Sequence, residues 1–330
     1  MKLAIPPTTD VATPQSPQEM RRHLTHWINE RWSIQVPQTI QPSRYTRVTH
    51  RVLKHFVPQA LRSAGAEPPW TEDKVLASVR FCNVRREDDA VTRWIRVHWN
   101  SANDPCWRFV LGRLINWPDS LAEIVSVGRQ GGMSMQQARQ ALKDRQLRGC
   151  KVFTSAYVIP AGSVAGVCKI DHVFDVVTAV ANGREPPLSS LADCASSLQQ
   201  QRGIGLFLSG QVVADMKNTA SHPLANAHDW FSWSSPGPGS CRGLSWYFTC
   251  SPDSASSMRS SFHSMAAIAR SEVQPLLHPS VSDMCAQDFQ NCLCEFSKWC
   301  KATFLGGRAR NSFNANGARS GLGTKRALEN

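Results

Sequence analysis

The stretch Phe81-Cys82-Asn83-Val84-Arg85-Arg86-Glu87-Asp88-Asp89-Ala90-Val91-Thr92-Arg93-Trp94-Ile95 brings amide, guanidinium and carboxylate groups between Val and Trp residues of core type. At helical pitch Asn83, Arg86, Asp89 or Ala90, and Arg93 fall on one stripe, and Val84, Val91 and Ile95 on another. Taken alone, such a run reads as a solvated helix face laced by i,i+3 and i,i+4 ion pairs. If it is attached to a core helix, its polar groups must be satisfied internally or used on a ligand. A second chemistry-bearing segment is Gly203-Ile204-Gly205, followed by an apolar run that contains Gln211 and Asp215 one helical turn apart. A helix, a Gly-x-Gly turn and a second helix lets the backbone approach a phosphate and aims amides at it. Asp215 inside an apolar run points to a job for its carboxylate, because unpaired burial is costly.

The elements that must position these groups read as helices. Residues 17–32 form one, residues 49–64 another, and a third runs through 72–98 with Thr71 as its N-cap and Glu72 and Asp73 in its first turn. Further helices are expected over 104–117, from Ser120 as a cap, and over 134–147, 169–182, 188–201, 255–278 and 282–304. In the 188–201 helix, Leu188, Leu191 and Leu198 share a face. Residues 151–159 are β-prone by propensity, and 218–243 read as loop. Residues 1–15 are expected as a disordered tail, 16–306 as a single helical domain with a helical hairpin near 188–216, and 307–330 as a basic Gly- and Asn-rich tail.

In a chain of 330 residues with 42% hydrophobic content, a large core is affordable. No apolar run approaches the length of a membrane span and no signal-peptide pattern opens the chain, so a cytoplasmic protein is expected. Lys and Arg total 37 against 25 acidic residues, a net charge of +12, with arginine clusters near 80–96, 108–113 and 308–319. That balance fits a polyanionic partner such as nucleic acid. The 11 cysteines are expected to be reduced. Cys285, Cys292, Cys294 and Cys300 come close to an iron–sulfur spacing, one residue short in the middle gap, and read instead as small buried hydrophobes. Gly321-Leu322-Gly323-Thr324-Lys325 is not a P-loop, since its spacing is wrong and no strand precedes it.

The run Phe81, Asn83, Arg86, Asp89, Val91, Thr92 and Trp94 resembles the signature of the alpha-glutamyl/putrescinyl thymine pyrophosphorylase family of bacteriophage DNA-hypermodification enzymes, itself related to the helical domain of 5-hydroxymethyluracil DNA kinases. Arg113 and Asn116 match the family's Arg-x-x-Asn segment, and Gly203, Gly205, Phe207, Gln211 and Asp215 its Gly-x-Gly block. Pro236-Gly237-Pro238-Gly239-Ser240-Cys241-Arg242-Gly243 resembles its Gly-Pro-Gly-Ser-x-Arg-Gly loop, where amides, a hydroxyl and Arg242 suit phosphate oxygens. Cys294-Glu295-Phe296-Ser297-Lys298 resembles its Cys-Glu-Phe-Asp-Lys helix, with Ser297 in place of Asp, and Gly306-Gly307-Arg308 its basic end.

The resemblance implies an all-α, helix-hairpin-helix DNA-glycosylase-like fold and a transferase. Pyrophosphate on the hydroxymethyl oxygen of 5-hydroxymethyluracil in DNA would be displaced by an amine, either an amino acid or a polyamine. Asn83, Arg86, Asp89, Asp215 and Glu295 are then the catalytic candidates. Arg93, Gly203, Gly205, Gln211, Gly237, Gly239, Ser240, Arg242, Lys298 and Arg308 are the phosphate or DNA contacts. Trp94 and Trp230 are candidates to stack on a flipped base, and Asp229 is a secondary catalytic candidate by analogy with glycosylases. The partners are DNA with a modified thymine and a small amine. No resident cofactor or metal ligand set is assigned, although a divalent ion could assist the pyrophosphate. The alternatives are a helix-hairpin-helix glycosylase or a DNA-binding relative without catalysis.

Overall fold

The computed structural model describes residues 13–39, 71–128, 134–154 and 168–307. The described residues hold twelve α-helices and no strand. In chain order these are α1 (Pro17–Thr39), α2 (Lys74–Ser78), α3 (Ala90–His98), α4 (Cys106–Ile115), α5 (Pro118–Gly128) and α6 (Met135–Leu147). They continue with α7 (Lys169–Asn182), α8 (Leu191–Gln199), α9 (Leu206–Lys217), α10 (Pro238–Thr249), α11 (Phe262–Val273) and α12 (Ala286–Phe304). Within the span expected as one domain, two compact units form. One is drawn from Met1–Arg85 and Pro236–Asn330, the other from Arg86–Ser235.

The first unit is built on α1, α10, α11 and α12. Helix α1 starts with a capping box: Glu19 N donates to Ser16 Oγ at 3.3 Å, and Ser16 N donates to Glu19 Oε2 at 3.2 Å. Met20, Leu24, Trp27 and Ile28 form its buried stripe, and Phe289, Cys292, Leu293, Phe296 and Cys300 form that of α12. Helices α10 and α12 approach closely through glycine. A Cβ on Gly243 would collide with the Leu293 carbonyl, and one on Gly239 with Cys294 Sγ. The segment expected as a phosphate loop is therefore the start of a helix. Gly237 is its N-cap and Pro238 its first residue.

The second unit surrounds α4, whose residues from Phe109 to Ile115 are all buried. Helix α7 lays Ile170, Val173, Phe174, Val177 and Val180 on the same core. Its bounds, and those of α6, match the periodicity in the sequence. Asn116 ends α4 in the left-handed conformation, with φ of 49°. Gly112 sits against α3, where an added Cβ would lie 2.9 Å from Ile95 Cδ1.

Several expectations are corrected. The helix expected over 72–98 is broken into α2, an extended run, a 3₁₀ turn at Arg86–Asp88 and α3. The cap of α2 is Asp73, whose Oδ1 accepts from Val75 N and Leu76 N, while Thr71 donates to Glu30. Pro118 opens α5, so Ser120 is not its cap, and its hydroxyl donates to the Val152 carbonyl at 2.8 Å. Leu188 lies outside α8, and the helix expected over 255–278 is confined to α11 and a 3₁₀ turn at Gln274–Leu276. The loop expected over 218–243 contains a 3₁₀ turn at Pro223–Asn226 and the first half of α10. The 49–64 helix, residues 155–159 of the β-prone run, residues 1–12 and the basic tail from Arg308 lie outside the described residues. No described helix is long and apolar enough to cross a membrane.

The glycine packing sets a stability test. Gly243→Ala should overpack the α10–α12 contact and cost about 1–3 kcal/mol in guanidinium unfolding. Gly237→Ala, which meets nothing within 4 Å, should unfold close to wild type.

Candidate functional site

In the second unit the polar motif residues converge on one guanidinium. Arg113 is 0% exposed, and each of its five N–H donors is used. Nε and Nη2 grip the two oxygens of Asp215 as a fork. Nη2 also donates to Thr92 Oγ1, and Nη1 donates to Asp89 Oδ1 at 2.9 Å and Asn116 Oδ1 at 3.2 Å. The Thr92 hydroxyl donates to Asp215 Oδ1 at 2.8 Å, and Asn116 Nδ2 donates to Thr154 Oγ1 at 3.1 Å. Asp215 is itself 0% exposed. Burying two such charges is tolerable only because each closes the other's hydrogen-bonding capacity.

Asp89 links this buried end to the surface. Its Oδ1 caps α3 by accepting from Val91 N and Thr92 N, each at 3.1 Å. Its Oδ2 faces Arg86 Nη1 at 3.6 Å, a looser pair. Arg86 is 9% exposed and donates through Nη2 to Gln211 Oε1. Burial pushes the Asp89 carboxyl up, but Arg113, then Arg86 and the Thr92 amide, outweigh it and hold it well below the usual carboxylate range. Two arginines balance two aspartates, so the network is neutral as a whole. Asp89 forms its partly exposed edge, with Arg86 buried beside it.

The Gly-x-Gly turn joins α8 to α9 as expected. Gly203 has φ of +86°, and a Cβ there would lie 2.7 Å from Val176 Cγ2, so glycine is required. Gly205 caps α9 with no side-chain bond and has open space around it. Asp229 accepts from Leu191 N at 2.8 Å and Ala192 N at 3.0 Å, so both its oxygens anchor the start of α8. Trp230 donates to the Lys217 carbonyl at 3.2 Å and lies under the Lys217 ammonium, 4.0 Å from the ring centroid. The face of Trp94 is covered by His98, with ring centroids 4.2 Å apart. Arg93 is exposed.

In the first unit Asn83, Glu295 and Lys298 meet around a residue that the sequence pattern did not single out. Arg31, on α1, donates to the carbonyls of Phe81 and Cys82, each at 3.1 Å, and to Asn83 Oδ1 at 3.2 Å. Asn291 Nδ2 donates to the Asn83 carbonyl at 2.9 Å. Glu295 is buried, accepts from Cys82 N at 3.2 Å and pairs with Lys298. Ser240 is also buried, and its hydroxyl closes on Gly237, accepting from its N–H at 3.0 Å and donating to its carbonyl at 2.9 Å. That hydroxyl is thus occupied by the helix start, while Arg242 stands exposed on α10. Cys285, Cys292 and Cys300 are buried and Cys294 packs on Gly239. Among the described residues no three His, Cys, Asp or Glu side chains are grouped to hold a metal.

Arg86, Asp89, Gln211 and Asp215 are thus brought together, with Thr92, Arg113 and Asn116 completing the set. Asn83, Glu295 and Lys298 form a second cluster, in the other unit. Arg31 carried no motif. Its signal was a cation between Ile28 and Trp32 on an otherwise core-facing helix.

A family model described as "5-hmdU DNA kinase, helical domain" matches residues 45–305. Comparisons with curated proteins and with solved structures give no match. The chain belongs to the helical-domain family of the 5-hmdU DNA kinases.

Arg113→Met should destabilise the fold by about 3–5 kcal/mol, because it strands the Asp215 charge in the core. Arg113→Lys should recover only part of this loss, since an ammonium cannot reproduce the fork. Equilibrium unfolding of both variants reads the two values. Asp89→Asn keeps an N-cap and removes the charge. The folded carboxyl lies below its unfolded value, so its contribution is complete above about pH 4 and fades as pH falls through the folded value. Wild type should therefore lose stability on acidification more steeply than Asp89→Asn, with the two unfolding curves converging at low pH.

Proposed function

We propose that this family member acts on DNA in which the hydroxymethyl oxygen of 5-hydroxymethyluracil carries pyrophosphate, and replaces that pyrophosphate with an amine. The reading extends the family membership from a DNA kinase's helical domain to the neighbouring transferase chemistry of thymine hypermodification. One observation carries it. Arg86, Asp89, Thr92, Arg113, Gln211 and Asp215, distant in sequence and all at positions resembling the transferase motifs, share one hydrogen-bonded network.

In the reaction the amine nitrogen attacks the C5 methylene carbon. The carbon–oxygen bond breaks, its electron pair leaves with pyrophosphate, and the new ammonium nitrogen gives up a proton. The departing polyanion needs cations. Arg86, held beside Asp89 in the network of the second unit, fills that role in this reading. The carboxylates divide by their partners. Asp215 is committed to Arg113, and Glu295 to the Cys82 amide and Lys298. Asp89, held ionised, is a weak proton acceptor. Its part is to fix Arg86; the amine attacks in its neutral form, and the proton released by the new ammonium passes to solvent or to the leaving group. The Gly203–Gly205 turn contacts the DNA backbone in helix-hairpin-helix fashion.

The test uses DNA carrying pyrophosphorylated 5-hydroxymethyluracil, an amine mixture, digestion to nucleosides and mass spectrometry. The expected result is a nucleoside bearing one amine, with pyrophosphate released, and about a hundred-fold lower kcat in Arg86→Ala. Unchanged modified nucleoside would overturn the transferase, and abasic sites in its place would assign a glycosylase.

A further inference from the structure

The exposed face of α3 carries a feature that the reaction above leaves unused. Trp94 and His98 lie one helical turn apart and stack nearly parallel, with centroids 4.2 Å apart and an interplanar angle of 11°. The stack is fixed on two sides. His98 Nδ1 donates to the Trp94 carbonyl at 2.8 Å, and Trp94 meets Trp99 edge-on at 5.1 Å. Trp94 is half-buried against the core, whereas His98 is exposed. Beside them, near the C-terminal end of α3, the apolar side chain of Val97 is 73% exposed. Arg93, one turn before Val97, is exposed, and its guanidinium has no carboxylate partner among the described residues. The helix beneath is held at its start by Asp89 and so by the Arg113 network.

A rigid aromatic step with an open outer ring, an apolar flank and an unpaired cation is complementary to one partner chemistry. An unpaired nucleobase offers a π-face to the ring, and the adjoining phosphate offers a charge to Arg93. We propose that His98, backed by Trp94, is the stacking platform for an unpaired nucleobase of a single strand, with Arg93 on the neighbouring phosphate. Trp94, whose face is covered, is then the support and His98 the contact. The platform rests on the reading that the protein handles DNA, and not on amine transfer.

The experiment measures binding of the full chain to a short oligothymidylate by fluorescence anisotropy, beside a matched abasic sugar–phosphate oligomer. His98→Ala should weaken oligothymidylate binding roughly ten-fold and leave the abasic oligomer unchanged. His98→Phe, which keeps a ring, should restore most of the affinity. Arg93→Ala should weaken both oligomers and lower the salt slope by about 0.7. Equal losses on both oligomers in His98→Ala, no loss on either, or no oligothymidylate binding by wild type would each overturn the platform. Should amine transfer fail while this ring dependence holds, the platform stands and the transferase reading falls.

Discussion

Everything in the second unit depends on making the core acceptable to the Arg113 guanidinium. A guanidinium cannot shed its charge to escape burial, so its surroundings must supply acceptors for all five of its N–H groups. They come from four places. Asp215 comes from α9, Thr92 from α3, Asp89 from the cap of α3, and Asn116 from the left-handed end of α4. Meeting that one demand fixes where three helices end or face. It also explains why Asn116 accepts a left-handed backbone: the conformation ends α4 while its amide oxygen reaches back to Arg113. The same bonds set the entry of α3 and, through Asp89, the place of Arg86. A buried ion pair of this kind is weak evidence of stability for its own sake, because an apolar replacement can pack as well. Its use here is geometric.

The first unit solves its packing by different means. Gly239 and Gly243 remove side chains from α10 where α12 passes, Gly243 against the Leu293 backbone and Gly239 against the Cys294 thiol, and Ser240 turns its hydroxyl inward to cap the helix start. Of that motif only Arg242 is presented outward. On α12, the Glu295–Lys298 pair lies at the cluster that holds Asn83. In both units the glycines and hydroxyls of the motifs serve the frame.

Much of this was legible in the sequence. Helices α1, α7 and α12 each lay a regular apolar stripe on a core, and α6 was legible as a polar helical run. That Asp215 needs a partner was legible from a carboxylate in an apolar run, whereas Arg86, Asp89 and Gln211 were singled out through the family resemblance, since the charge run alone reads as a solvated face. The break in the 72–98 helix was not. Its cause is non-local: Arg31 and Asn291 take the carbonyls of Phe81, Cys82 and Asn83, and Glu295 takes the Cys82 amide. A backbone so occupied cannot also close helical hydrogen bonds, and no window around residue 82 records partners 50 or 213 positions away. Asp73 and Asp89 did carry a local signal, as two N-caps that mark two short helices in place of one. Gly237 and Pro238 likewise announce a helix start, which the phosphate-loop reading passed over.

The central claim is that Arg113 is a fully bonded, immobile hub. Arginine side-chain ¹⁵N NMR of the wild-type protein addresses it without any substitution. The account predicts one guanidinium with separately resolved Nη protons, slow rotation about its Cζ–N bonds and slow exchange with water, its signals assigned by their loss in a variant at residue 113. An Arg113 guanidinium that rotates freely and exchanges as fast as the exposed arginines would contradict the account.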